Sequence, residues 1–206
     1  MTILFSLLLA GGLLVSPAGA DPAPPVDSTV YQFDNDGSTM TVFGSSNVRD
    51  WTMDVTQLNG RALIGEADGD VPALQSVELE VPVEQMTSDK DRLQRHAHEA
   101  LKKEDYPTIT FSSSDVTVSS ADADSFAVFA TGDLTIAGET RTVEVKAKGA
   151  QQDDGTLHVV GEHELTLSEF NVERPSLMFG AIKVSDPIRL GFDVTLSPQQ
   201  QTADTN

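Results

Sequence analysis

The stretch EDYPTITFSSSDVTV, residues 104–118, marks the point where one kind of local structure gives way to another. Its charged start continues a helix-like run, and the Tyr-Pro pair disfavours helical backbone. The apolar and β-branched residues after that pair predict a strand. Ile109 and Phe111 share one alternating face, whereas Val116 and Val118 have the opposite parity. This change of parity across three serines predicts a β-bulge at which the strand bends.

The residues just before this junction predict one helix. In SDKDRLQRHAHEALKKEDYP, residues 88–107, apolar side chains recur at helical spacing. The apolar positions are Leu93, Ala97, Ala100 and Leu101. Ser88 and Asp91 match a capping box, so we expect a helix of three to four turns that starts there and ends at the Tyr-Pro pair.

Alternation of apolar and polar residues dominates the rest of the chain. The most regular runs are residues 76–84, 141–149, 163–170 and 187–196, and less regular runs lie at 29–33, 39–46, 60–66, 108–118 and 125–136. Each run predicts a strand with one buried face. At least eight such strands at short spacing favour an antiparallel barrel or a sandwich.

The two ends of the chain differ in composition from this interior. Residues 1–20 contain an apolar run that is too short to span a membrane and end in a small-residue pattern, which predicts a cleaved signal peptide. Residues 21–28 form a Pro-rich leader, residues 29–196 a single domain, and residues 197–206 a disordered tail. We therefore expect an exported protein that is periplasmic or secreted.

Charge and cysteine content restrict the partners. The chain has 32 acidic and 13 basic residues, a formal net charge of −19, which argues against nucleic acid and anionic lipid head groups as partners. The sequence has no cysteine, so stability must come from the core rather than from disulfides.

Histidines are the natural candidates for metal binding or acid-base chemistry. His96 and His98 point to different faces of the predicted helix, so we expect no metal site there. His163 alternates in phase with Leu165 and Leu167 and is either a core residue or a polar contact in a pocket. The sequence shows no nucleophile elbow or phosphate-binding glycine loop. A barrel of this size either fills its interior or leaves room for one ligand, and both alternatives stay open.

Four segments together resemble the YceI-like family of secreted polyisoprenoid-binding proteins over residues 30–196. They are residues 31–55, 96–118, 130–149 and 165–196, and the most specific parts are YPTITF and GDLTI followed by Gly138. The resemblance implies an all-β fold, an extended antiparallel lipocalin-like barrel of about eight strands with one helix. It also implies an apolar channel that holds an isoprenoid or quinone-like lipid, with no cofactor and no catalysis.

Twelve apolar residues within the region of resemblance are the candidates for the channel lining. They are Phe43, Trp51, Phe111, Phe129, Leu134, Ile136, Leu165, Leu167, Phe170, Met178, Phe179 and Ile182. Two other functions remain open. One is an enzyme that uses His163 and a carboxylate on a small apolar substrate; the other is a filled barrel that engages a protein partner through its edges or loops. The sequence leaves open whether the protein forms a homodimer.

Overall fold

The computed structural model describes residues 28–68, 71–122, 125–174, 176–177 and 181–199. The expected signal peptide, most of the leader, residues 200–206, Met178 and Phe179 lie outside these residues. The strands are β1 (Thr29–Ser45), β2 (Asp50–Val55), β3 (Asn59–Asp68), β4 (Val71–Pro82), β5 (Met86–Thr87), β6 (Thr108–Asp122), β7 (Ser125–Ile136), β8 (Glu139–Gln151), β9 (Leu157–Thr166), β10 (Ser176–Leu177), β11 (Ile182–Lys183) and β12 (Pro187–Pro198). The described residues contain one α-helix, α1 (Asp91–Ala100), and two 3-10 turns, Val83–Gln85 and Leu167–Phe170.

Eight long strands form a closed antiparallel barrel. Their order is β12, β9, β8, β7, β6, β4, β3 and β1, and β1 also pairs with β12 to close the sheet. Short strands β2 and β5 extend the sheet beside the second half of β1. The prediction of an all-β barrel of about eight strands with one helix is confirmed.

Strand β1 unites two runs that the sequence predicts as separate strands. Its first half pairs with β3 and its second half with β2, while β12 runs beside both. The register with β12 shifts between Asp34 and Thr39, where the Ser38 hydroxyl donates to the Asp34 carbonyl at 2.5 Å. The strand therefore changes one neighbour at this irregularity without ending.

The β-bulge predicted within residues 104–118 is present. The pairing of β6 with β7 shifts between Ser112 and Asp115, so two residues of β6 oppose Gly132. The buried Ser113 hydroxyl donates to the Thr131 carbonyl at 2.7 Å and fixes the bend. A Cβ on Gly132 would stand 2.4 Å from the Ser112 carbonyl oxygen, which explains the glycine.

The helix is shorter than the sequence predicts. It starts after Lys90 with no side-chain cap, so the capping box of Ser88 and Asp91 is wrong. It ends at Ala100 because Lys102 takes a left-handed conformation with φ 54°. The chain then turns and enters β6.

The Tyr-Pro junction ties this turn to the barrel wall. The Pro107 carbonyl accepts a hydrogen bond from the Val83 backbone at 2.8 Å. The Tyr106 ring packs over Gly138, where a Cβ would stand 2.5 Å from the ring. Gly138 lies in the tight turn between β7 and β8 and has φ 85°. The two most specific parts of the sequence resemblance are therefore in contact.

Candidate ligand-binding cavities

A cavity of about 470 Å³ lies between α1 and the adjacent end of the barrel. The apolar face of α1 forms one wall through Leu93, Ala97, Ala100 and Leu101, as the helical spacing predicts. The barrel supplies side chains from β1, β2 and β12, from the segments around β5 and β11, and from the 3-10 turn after β9. They include Val42, Trp51, Met53, Met86, Leu167, Ile182 and Ile188. We call this space the end cavity.

Trp51 has a defined position in the wall of the end cavity. Its indole Nε1 donates to the Ser45 carbonyl at 3.1 Å. The ring lies over Gly44, where a Cβ would stand 2.0 Å from ring atom Cζ2. Gly44 thus makes room for the indole. Because Trp51 is the only tryptophan of the chain, its fluorescence reports on this cavity.

A second cavity of about 180 Å³ lies inside the barrel. We call it the inner cavity. Its lining includes Phe111, Leu134, Val145, Val159, Phe192 and Val194, and among the described residues His163 is its one polar side chain.

The two cavities lie in series along the barrel. On β1, Val42 lines the end cavity and the next inward residue, Met40, lines the inner cavity. On β12, Ile188 lines the end cavity and Leu190 lines the inner cavity. The inner cavity extends along β12 as far as Leu196. The eight residue steps from Ile188 to Leu196 correspond to roughly 20 Å along a barrel axis at the usual strand tilt. The arrangement suits an elongated apolar molecule.

His163 is held in its neutral form by its surroundings. Burial in the apolar interior lowers the pKa of the imidazole below its ordinary value of 6.5, and a hydrogen bond to the Glu144 backbone opposes this effect more weakly. Because the neutral imidazole donates its one N–H to the Glu144 carbonyl, its other nitrogen can accept one hydrogen bond from a ligand hydroxyl group.

The predicted lining residues separate into several groups. Trp51, Leu167 and Ile182 line the end cavity, and Phe111 and Leu134 line the inner cavity. Ile136, Leu165 and Phe170 belong to the packed core and touch neither cavity, with Phe170 only 1% exposed. Their role as ligand contacts remains a prediction.

Phe43 and Phe129 require a correction, because both point away from the interior. Met40 and Val42 take the inward positions on β1, so Phe43 lies outside with the Arg189 guanidinium 4.3 Å from its ring centroid. On β7, Val128 is buried and the neighbouring Phe129 is 44% exposed. In both strands a smaller residue beside the phenylalanine fills the core instead.

Several lining residues were missed, although the sequence carried the signal for most of them. The alternation in residues 187–196 marks Ile188, Leu190 and Phe192 as inward, and the apolar stripe of α1 marks the helical wall. Met53 and Met86 had no such signal, because β2 and β5 are too short for a visible alternation. Their place depends on how these strands extend the sheet.

The two histidines of α1 make contacts within the protein, and His96 also lines the end cavity. The His96 Nδ1 lies 3.0 Å from a Glu99 carboxylate oxygen, and the His98 Nε2 lies 2.9 Å from the Met86 carbonyl oxygen. Within the described ranges, no group of three or more His, Asp and Glu side chains is arranged to hold a metal ion. In the same ranges, no helix has the length and apolar character to cross a membrane.

Comparison with known proteins gives a family and a set of similar folds. The model of the YceI-like domain matches residues 31–196. BcnA of Burkholderia cenocepacia is 20% identical, with a TM-score of 0.63 over 80% of this chain and 99% of that chain. A polyisoprenoid binding domain from Saccharophagus degradans, implicated in plant cell wall breakdown, is 13% identical, with a TM-score of 0.63 over 83% and 99%. A Campylobacter jejuni YCEI protein is 18% identical, with a TM-score of 0.55 over 72% and 85%.

At these identities the solved structures support the barrel fold and do not identify a ligand. No curated protein sequence matches the chain.

Proposed function

This chain belongs to the YceI-like family, and from that premise we propose that its barrel binds one elongated apolar lipid of the isoprenoid or quinone type. The observation that carries the proposal is the pair of apolar cavities in series, one under the helix and one inside the barrel. A filled barrel would leave no such space, so the cavities favour ligand binding over the interaction module.

The size and lining of the cavities support a chain-like ligand. At about 470 Å³ the end cavity falls within the range of small-molecule sites, and the narrower inner cavity continues it. Each buried CH₂ group contributes roughly 0.8 kcal/mol. About fifteen buried groups would give on the order of 12 kcal/mol before the cost of association. Apolar contact alone can therefore hold such a lipid.

The comparisons support the same class of ligand. The Saccharophagus degradans protein with this fold is described as a polyisoprenoid binding domain. Because its identity to this chain is 13%, we transfer only the class of ligand, and we do so as part of the proposal.

We further propose that the protein is exported and carries or stores its lipid in the aqueous space outside the cytoplasmic membrane. The apolar run within residues 1–20, followed by a small-residue pattern, supports export. The surface charge supports solubility, because 32 acidic residues keep copies of the protein apart. The proposal assigns no catalytic step to the barrel.

Titration of the protein with farnesol and with a prenylated quinone tests this function, with Trp51 emission as the signal. Both ligands should change the emission and saturate near one molecule per protein. Ala97→Phe should weaken both ligands at least about tenfold, because the new ring occupies the end cavity. Arg95→Phe is the matched control, since Arg95 lies on the opposite face of α1 beside Glu99.

Two outcomes would contradict the proposal. One is wild-type protein that is folded and shows no saturable emission change with either ligand. The other is Ala97→Phe protein that binds both ligands as tightly as the Arg95→Phe control.

A further inference from the structure

His163 is the one polar side chain among the described residues that line the inner cavity. It lies on β9, and its register partner on β12 is Leu190, which lines the same cavity. The six residue steps from Leu190 to Leu196 correspond to roughly 15 Å along the barrel axis at the usual strand tilt. His163 therefore lies inside the barrel, and the apolar part of the inner cavity continues beyond it.

The local geometry of the barrel wall explains why a histidine lies at this position. The pairing of β8 with β9 ends at Lys146 and Glu162, so it stops one residue before His163. The Glu144 carbonyl lies past the end of this ladder and accepts a hydrogen bond from the His163 imidazole. A backbone carbonyl that has no strand partner needs another donor. The side chain thus supplies the donor that the ladder does not.

The hydrogen bond to Glu144 decides which group the imidazole presents to the cavity. A neutral imidazole has one N–H donor and one unprotonated nitrogen. Burial lowers the pKa of His163 below 6.5, so the ring is neutral at neutral pH. Because the N–H donates to the Glu144 carbonyl, the second nitrogen is an acceptor and cannot donate.

The second nitrogen of His163 is open to the inner cavity. The Glu144 carbonyl is the one hydrogen-bond partner of this side chain within the described ranges. In the same ranges, no side-chain nitrogen or oxygen that is fully occluded lacks a partner. The second nitrogen is therefore not occluded, and it borders the space that His163 lines. Among the described side chains, the inner cavity thus offers one acceptor in an otherwise apolar lining.

We propose that His163 makes the inner cavity selective for an isoprenoid that carries a hydroxyl group, so that a prenol or a hydroquinone binds more tightly than the corresponding ether or quinone. This inference rests on the proposed function and names the polar group that the barrel interior recognises. A hydroxyl group donates to the second nitrogen of His163, whereas an ether or quinone oxygen only accepts and leaves that nitrogen without a partner. The barrel therefore distinguishes the reduced form of a quinone from its oxidised form.

The apolar surroundings of His163 strengthen this preference. An acceptor that a bound ligand covers without a hydrogen bond loses its contact with water, and the apolar lining offers no replacement. The isoprenoid chain is the same in both members of such a ligand pair, so its burial contributes equally to both affinities. The ratio of the two affinities consequently reports on the hydrogen bond.

The test uses two ligand pairs with Trp51 emission as the signal. The first is farnesol and farnesyl methyl ether, and the second is a prenylated hydroquinone and its quinone under anaerobic conditions. Wild-type protein should bind the hydroxyl-bearing member at least about fivefold more tightly, and His163→Leu should remove most of this preference while changing ether and quinone affinity by less than about twofold. His158→Leu, on the outer face of the same strand, should retain the preference.

Nitrogen NMR of protein with isotope-labelled histidines tests the contact without a substitution at the site. Spectra of His163→Gln protein identify the His163 resonances. In the ligand-free protein one ring nitrogen should carry a proton and the other should not. Farnesol should shift the resonance of the unprotonated nitrogen and farnesyl methyl ether should not; equal spectra with the two ligands would overturn the proposal.

Failure of this inference differs from failure of the proposed function. Equal affinities of wild-type protein for both members of each pair would overturn the selectivity alone, as would a preference that persists unchanged in His163→Leu protein. A preference in one pair only supports the inference and identifies the ligand as a prenol or as a hydroquinone. Lack of any saturable emission change with all four compounds would overturn the lipid-binding function itself.

Discussion

At the scale of single residues, Gly44 and Trp51 show how one side chain shapes the cavity wall. The indole occupies the space in which a Cβ of residue 44 would stand. Gly44→Ala should push the indole into the end cavity, weaken the Nε1 bond to Ser45 and destabilise the protein by about 1–3 kcal/mol. Denaturant unfolding and the Trp51 emission maximum measure these two effects.

Gly191→Ala provides the control for that substitution. A Cβ there would meet only the edge of the outward-facing Phe43, at 3.1 Å. It should leave the Trp51 emission unchanged. If Gly44→Ala, like Gly191→Ala, changed neither the Trp51 emission nor the unfolding free energy, the described packing of Trp51 would be wrong.

His163 supplies a prediction about pH. Burial lowers the pKa of this imidazole below 6.5 in the folded protein, so the unfolded chain binds a proton at higher pH than the folded protein does. The unfolding free energy should therefore fall as the pH decreases from 6.5 towards the folded-state pKa. Urea unfolding between about pH 7.5 and pH 5 should show a steeper loss for wild type than for His163→Gln.

The outer-face His158 provides the matched control for this effect. Its side chain is 43% exposed beside Asp193, so His158→Gln does not remove a buried imidazole and should retain the wild-type loss attributed to His163. Parallel pH profiles of wild type and His163→Gln would show that burial of His163 has no consequence for stability.

At the scale of elements, the β-bulge in β6 lets the strand that begins within residues 104–118 bend along the barrel wall. Gly132→Ala would place a Cβ 2.4 Å from the Ser112 carbonyl and 2.8 Å from the Ser113 Cβ. Because backbone cannot yield as a flexible side chain does, we expect a loss of about 1–3 kcal/mol in unfolding free energy. Gly37→Ala, whose nearest neighbour would be the Thr195 hydroxyl at 3.2 Å, should cost clearly less.

The same elements show what the sequence can and cannot specify. Alternation in residues 141–149 and 187–196 predicted strands and their inward faces, because one face of each strand lines the interior of the barrel. The parity change at the three serines predicted the bulge for the same reason. Phe43 and Phe129 were expected to line the channel, but Val42 and Val128 beside them take the buried positions of these strands. The early helix end depends on the left-handed Lys102, a residue type that gives no local signal for it.

At the scale of the whole molecule, closure of the sheet between β1 and β12 joins residues far apart in sequence. Tyr31 pairs with Pro198, and this register encloses both cavities. Local patterns predicted the strands but carried no information on which sheet edges meet. Arg49 and Arg92 likewise come to line one cavity only when the chain folds, because they belong to different elements.

Net charge gives a prediction that belongs to the whole molecule. With a formal charge of −19, self-repulsion destabilises the folded state, and salt screens it. The melting temperature should rise by a few degrees between about 20 mM and 0.5 M NaCl, because the exposed ion pairs that salt weakens each contribute only about 0–1 kcal/mol. A melting temperature that falls with NaCl would show that ion pairs outweigh the repulsion.

The central claim is that the barrel holds an elongated isoprenoid-type lipid, and the most direct test is to identify what the protein contains. Residues 21–206, produced by export in a bacterial host, would be purified without detergent, extracted with organic solvent and examined by mass spectrometry, with the Ala97→Phe variant processed in parallel. We expect close to one isoprenoid lipid per wild-type protein and much less in the variant. Folded wild-type protein that yields no such lipid, and takes up none when isoprenoids are added, would contradict the account.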